Sequence, residues 1–202
     1  LGPAFIKLGQ ALAAREDILG APVAAELRRL CDAVAPFPTS EVQQLLIEEL
    51  GENAAPSISS EPVAAASLGQ VYRISLGGQD FAVKVQRPGL AESIAVDIVV
   101  LDGLASICRR IFSCFAVSSL DLQRISRAWC QTLWHELDYI REAQSMDRIT
   151  AALLVKHKVE GLVIPKVNWE LTSTRVLTTA WIEGARVTTA LDRIAARHIG
   201  IS

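Results

Sequence analysis

Lys84 stands in the run Phe81-Ala82-Val83-Lys84-Val85, an apolar stretch that reads as a strand. A cation there needs a counter-charge, because an unpaired buried charge is costly. Strand alternation puts Ala82, Lys84 and Gln86 on one face and Phe81, Val83 and Val85 on the other. The second face is expected to enter the core. On the first, a flat ring could lie against Ala82 while the ammonium reaches an anion such as a phosphate. Upstream, Ala64-Ala65-Ala66-Ser67-Leu68-Gly69 is a small-residue stretch placed where a loop could close on that anion. Glycine is the usual residue for such close approach, since it accepts positive φ; alanine predicts a stiffer loop. Taken alone, the pattern also fits a lysine on an exposed strand face.

A second set of residues lies on helices. Downstream of Leu120, apolar residues recur at Leu122, Ile125, Trp129, Leu133 and Ile140, the spacing of one helical stripe. Glu136 falls on that stripe and is expected to seek Lys84, although a water-facing helix edge fits the spacing too. In a continuous helix Asp138 lies about 200° further round, so the two acids would not share a partner. Near the start, Lys7 and Gln10 share one helix face, with Phe5, Leu8 and Leu12 on the apolar side. Gly9 between them costs helix stability, roughly 1 kcal/mol against alanine, and so suggests a close backbone approach.

These residues need elements to hold them. Helices are predicted at Ala4–Ala14, Pro22–Val34 and Ser40–Leu50. Pro36-Phe37-Pro38 stops the second, and a Ser40/Gln43 capping box and Gly51 bound the third. Strands are predicted at Ser57–Ala65, Leu68–Leu76 and Asp80–Arg87, the last two joined by a Gly77-Gly78 turn. Two long helices, about Ala91–Phe115 and Leu120–Ile149, precede strands at Leu162–Trp169 and Arg175–Trp181 and a short helix at Thr189–His198. The pattern is α+β.

Composition narrows the function classes. The chain has 202 residues, half of them apolar, a mean hydropathy of +0.30 and a formal net charge of −2. That balance argues against nucleic acid as the main partner, which calls for a basic surplus. Cys31, Cys108, Cys114 and Cys130 form no C-x-x-C pair and read as reduced core thiols; His135, His157 and His198 are too scattered for a zinc site. No targeting peptide is visible, and the absence of an initial methionine suggests that the true N-terminus lies upstream. The apolar stretch from Ile94 to Leu120 is broken by Asp97, Asp102, Arg109 and Arg110 and reads as an amphipathic core helix, not a membrane span.

The ordered motifs resemble the UbiB family of atypical protein-kinase-like proteins, the ABC-one or ADCK-type kinases. They are Leu1-Gly2-Pro3-Ala4-Phe5-Ile6-Lys7-Leu8-Gly9-Gln10, Pro36-Phe37-Pro38, Ala64 to Tyr72, Val83 to Gly89, Glu136-Leu137-Asp138-Tyr139 and Pro165-Lys166-Val167. The wording is most similar to plastid members. The resemblance implies a kinase-like N-lobe, a small antiparallel sheet of about five strands with a C-type helix, behind a family-specific helical extension. The units would be 1–55 (extension), 56–187 (lobe with inserted helices and hinge) and 188–202 (start of the second lobe), with the rest of that lobe absent.

It also implies roles. Lys84 would contact nucleotide phosphates, Glu136 would pair with it, and Ala64, Ala65, Ala66 and Ser67 would replace the usual glycine loop. Ala82 would face adenine, Thr179 would be the gatekeeper, and Ala180, Trp181 and Ile182 the hinge that hydrogen-bonds adenine. Lys7, Gly9 and Gln10 would belong to a regulatory K-x-G-Q segment and Asp138 to an E-x-D motif. The implied ligand is ATP, with Mg²⁺ held only by the missing lobe; prenyl-lipid or membrane contact is a further implied partner. The implied setting is isoprenoid-quinone or prenyl-lipid metabolism in a plastid, with mitochondrion or bacterial inner-membrane periphery as alternatives. No H-x-D-x-x-x-x-N or D-F-G is present, and the asparagines are Asn53 and Asn168 alone. The chain by itself is therefore expected not to be catalytic. The competing readings are a non-catalytic lipid- or partner-binding module and a generic α+β domain.

Overall fold

A computed structural model describes residues 2–32, 35–53, 55–113, 122–157 and 161–184. Four helices come first: α1 (Pro3–Ala13), α2 (Glu16–Leu19), α3 (Ala21–Asp32) and α4 (Thr39–Leu50). The strands β1 (Ala64–Ala65), β2 (Gly69–Leu76) and β3 (Gln79–Gln86) follow, then α5 (Leu90–Ser113), α6 (Leu122–Glu136) and α7 (Tyr139–Thr150). A π-helical turn at Ala151–Lys156 and a 3₁₀ turn at Trp169–Leu171 lead to β4 (Val176–Ala180). The helix expected at Thr189–His198 lies outside the described residues.

The sheet is antiparallel throughout, in the order β1-β2-β3-β4. Gly77 and Gly78 make the β2–β3 turn with φ of 57° and 79°, the left-handed pair that matches strand twist in a two-residue hairpin. The alternation read from β3 holds: Val83 and Val85 are fully buried. They join Tyr72, Ile74 and Val176 in a core closed by Val42, Leu45 and Leu46 of α4. On the opposite face α7 packs Tyr139 and Ala143 against Leu177 and Val167. A helix thus covers each side of the sheet, as a strand with one apolar and one mixed face requires.

Polar side chains tie this assembly together. Gln70 is buried on β2, where its amide accepts from Phe37 N (2.6 Å) and donates to Phe37 O (3.2 Å) and Tyr72 Oη (2.8 Å). The Pro-Phe-Pro segment is thereby docked on the sheet. Arg175, just before β4, reaches Glu49 (2.7 Å) and Glu48 (3.3 Å) of α4. At the far end α1 packs on α3 and α5. Its N-cap is Gly2, which has no side chain to offer; buried Asp97 of α5 instead accepts from Ala4 N at 2.9 Å. A Cβ at residue 2 would collide with that carboxylate, so any other residue here would displace the Asp97 cap.

Several expected boundaries shift for identifiable reasons. Ser57–Ala65 shrinks to β1, because Pro62 cannot donate to a ladder. The strand expected at Leu162–Trp169 reduces to a single bridge, Val167 to Thr179, giving four strands plus that bridge among the described residues where about five were expected. Helix α4 starts at Thr39 with Pro38 as cap, not through a Ser40/Gln43 box; Gln43 donates to Pro56 O instead. Gly51, at φ 82°, ends it as expected. The long helix expected from Leu120 to Ile149 is two, broken at Leu137-Asp138, where the Asp138 carboxylate accepts from Ile140 N (3.0 Å) and Arg141 N (3.3 Å) as the N-cap of α7.

Helix α5 buries Leu90 and Ile94 but leaves Val96, Val99, Val100, Leu104 and Ile107 exposed, so its outer face is apolar rather than polar. Among the described residues no helix is long and apolar enough to cross a membrane. Cys108 and Cys130 are free thiols, Cys130 being buried.

Candidate nucleotide pocket

The break between α6 and α7 creates the site. Gln86 of β3 donates to the carbonyls of Leu137 and Thr174 (3.2 Å to the latter), and Tyr139 N donates to Thr174 O at 3.0 Å. The joint is therefore pinned to the sheet beside Lys84. Past it the helix starts afresh with its own phase, so the stripe read through α6 does not continue into α7.

This change of phase decides the partners. Lys84 Nζ lies 2.7 and 2.9 Å from the two carboxylate oxygens of Glu142, one turn into α7, and 4.4 Å from the centre of the Tyr139 ring. Glu136, the last residue of α6, pairs with Lys7 of α1 at 2.7 Å. The expected Lys84–Glu136 pair is corrected on both sides: Glu136 does turn inward, as the stripe implied, but toward α1. Asp138 is likewise a cap at the start of a new helix, not a residue on the flank of a continuous one.

Both pairs face one cavity of about 600 Å³. Ala64, Ala65, Ala66, Ser67 and Gly69 form one wall; Lys7 and Gln10, with Tyr139, Arg141 and Ser145, contribute to the others. The three alanines are exposed, whereas Ser67 is 4% exposed and turned inward. Gly69 is required: a Cβ there would lie 2.3 Å from Val85 O and 3.1 Å from Tyr139 Oη. The ion-paired side chains are about a third exposed, between 29% and 43%. Such pairs are worth about 1 kcal/mol or less, so a polyanion can displace the carboxylates at little cost. The Tyr139 phenol is held far above its ordinary value of 10, by burial first and then by the charges of Glu142 and Glu136. It stays protonated.

The remaining expected site residues lie apart from this cavity. Register sets Ala82 opposite Arg73 and Thr179, and Lys84 opposite Val71 and Leu177, so Ala82 and Thr179 share the lysine's sheet face one step toward β4's end. Ala180 lines a second cavity with Trp181. The backbone N–H groups of Ala180 and Trp181 donate to Lys166 O (2.8 Å) and Asp80 O (2.9 Å). Ile182 is exposed, and Gly9 is half-buried within α1. Arg73 ties this end down through Asp80, Glu183 (2.8 Å) and the Trp181 ring (4.7 Å). Asn168 has a structural task, capping the 3₁₀ turn, and Asp102-Gly103 lies inside α5. Among the described residues no cluster of three or more His, Cys, Asp or Glu side chains could hold a metal.

A family model described as ABC1 atypical kinase-like domain matches residues 29–200. The chain belongs to this family. It is similar to the chloroplastic Protein ACTIVITY OF BC1 COMPLEX KINASE 3 of Arabidopsis thaliana, 38% identical over 192 residues, covering 93% of this chain and 26% of that protein. An uncharacterized chloroplastic aarF domain-containing protein kinase of the same plant is 34% identical, covering 95% of this chain and 28% of its own length. An uncharacterized Synechocystis protein is 36% identical over 202 residues, covering 97% of this chain and 34% of its own. The chain thus spans about a quarter to two fifths of the length of curated relatives it matches. The four-stranded antiparallel sheet with its flanking helices is consistent with a kinase-like N-lobe. Reading the sequence missed two of the pocket's central residues, Glu142 and Tyr139. The signal was available: an N-cap residue, Asp138, followed by an acid in the next turn, Glu142, is a helix-start pattern, and a fresh helix from Tyr139 carries Glu142 in its first turn.

Proposed function

We propose that this chain is the ATP-binding lobe of an ABC1-type atypical kinase or ATPase, with Lys84 and Lys7 taking the nucleotide's phosphates beside the alanine loop. The observation that carries this reading is the pocket itself, where two lysines sit on exchangeable carboxylates next to a small-residue loop on a sheet edge. Ala82 and Thr179 on the same sheet face are then the nearest surface for the base, and Lys7 and Gln10 of the K-x-G-Q segment form a regulatory wall, with Gly9 behind them in α1. Mg²⁺ would be held by residues outside this chain, as would the phosphoryl-transfer machinery; the chain alone is expected to bind and not to turn over. The extension, lobe and linker divide near residues 55 and 187 in this reading. A plastid setting, in support of isoprenoid-quinone or prenyl-lipid metabolism, draws on the chloroplastic names of the Arabidopsis relatives. Titration calorimetry of the intact protein with ATP tests it: Lys84→Ala should weaken binding about tenfold or more, the scale of a charge-assisted contact. Wild-type protein that takes up no ATP would remove this reading.

A second reading, a lipid- or partner-binding module, draws on the apolar outer face of α5, where Val99 is 72% exposed. Flotation of the protein with anionic liposomes tests it. Retention of Val99→Glu in the floated fraction at the wild-type level would count against that face.

A further inference from the structure

The Tyr139 side chain is 1% exposed, yet its hydroxyl has no hydrogen-bond partner among the described residues. A buried hydroxyl in that state costs stability, and phenylalanine would fill the same space without the cost. The hydroxyl lies at the foot of the alanine loop, 3.1 Å from where a Cβ on Gly69 would project. The ring, meanwhile, carries the Lys84 ammonium on its face at 4.4 Å. An aromatic face holds a cation even when the facing carboxylate leaves. Tyr139 therefore touches the two parts of the pocket that an anion must engage, lysine and loop, and holds one hydrogen-bond donor in reserve.

We propose that Tyr139 is the positioning residue of the anion pocket: its ring keeps Lys84 in place when a polyphosphate displaces Glu142, and its hydroxyl gains an acceptor as the ligand draws residues 66–69 onto it. This rests on the nucleotide reading above. It assigns a role to a side chain that touches the lysine and the loop rather than the ligand.

The test uses the intact protein, with ATP, inorganic tripolyphosphate and adenosine as probes, and Tyr139→Phe, Tyr139→Leu and Lys84→Ala as variants. Tyr139→Phe should leave the ligand-free protein as stable as wild type or raise its melting temperature by about 2–4 °C. The same variant should bind ATP and tripolyphosphate about three- to tenfold more weakly, with adenosine binding unchanged. Tyr139→Leu, which also removes the ring, should lose more than Tyr139→Phe. A merely structural tyrosine would lower stability and affinity together, so the opposite signs identify the role. The proposal is overturned by phosphate affinity within twofold of wild type in Tyr139→Phe while Lys84→Ala loses binding. It is also overturned by a lower melting temperature of ligand-free Tyr139→Phe, which would mean that the hydroxyl already has a partner, such as a buried water. Wild-type protein that binds neither phosphate probe would refute the nucleotide reading first, and this proposal with it.

Discussion

The two faces of the sheet are built for opposite purposes. Toward α4, Tyr72, Val83, Val85 and Val176 meet Leu45 and Leu46 in a dry, fully packed layer whose polar groups are satisfied through Gln70. Toward α7, the same strands present Lys84 to a cavity, with half-exposed ion pairs and an unsatisfied phenol. One face is packed throughout, and the other combines a smaller buried cluster around Tyr139 with an ammonium and a phenol left available. Stability and ligand binding should therefore respond to different substitutions, although the residues concerned alternate along a single strand.

The largest expected effect tests the dry face. Leu46→Ala should lose about 2–5 kcal/mol in denaturant unfolding, through lost burial and the cavity left behind. A loss under 1 kcal/mol would mean that α4 is not integral to the lobe. Next, Gln70→Ala strands the Phe37 backbone groups and leaves the Tyr72 hydroxyl only its 3.5 Å contact with Thr39 Oγ1, and should cost about 1–3 kcal/mol by the same measurement.

A smaller effect concerns the clamp at the edge of that face. Ser173 and Arg175 hold the Glu49 carboxyl below its ordinary value of 4.5, against burial, which alone would raise it. A depressed carboxyl contributes stability above its unfolded value and loses it as pH falls through the folded one. The margin of wild type over Glu49→Gln should thus be present at pH 7 and close as pH drops below about 4.5, followed by thermal melts across that range. The smallest stability change belongs to the pocket: Lys84→Ala and Lys7→Ala should each stay within about 1 kcal/mol of wild type, while the first abolishes most phosphate affinity. Loss of several kcal/mol in either would erase the contrast between the two faces.

How much of this could be read from the chain follows the range of the forces involved. The β2–β3 hairpin and the burial of Val83 and Val85 were legible because a Gly-Gly turn and a period of two are local signals. The pocket's membership was largely legible too, since Lys7, Gln10, Ala64 to Ser67, Lys84, Glu136 and Asp138 all line it. The pairing was not. Which carboxylate meets Lys84 depends on a helix break two residues long, and a stripe read straight through that break assigns the wrong phase to everything beyond it. The short strands failed for a related reason: Pro62 and Pro165 outweigh the apolar character of their neighbours. The exposed apolar face of α5 was hidden because hydrophobic periodicity says how much a helix could bury, not which side finds a partner.

Asp97 carries a consequence for the order in which the molecule is made. It stands 93 residues downstream of the Ala4 amide that it caps. On the ribosome α1 emerges long before the side chain that seats it, and a helix of 11 residues holds little structure alone. The wall of the pocket that bears Lys7 therefore cannot seat until α5 has been made, although it is translated well before α5. Pulse proteolysis of stalled chains should show α1 protected only once α5 has left the exit tunnel, and protection before that point would assign its seating to α3 alone.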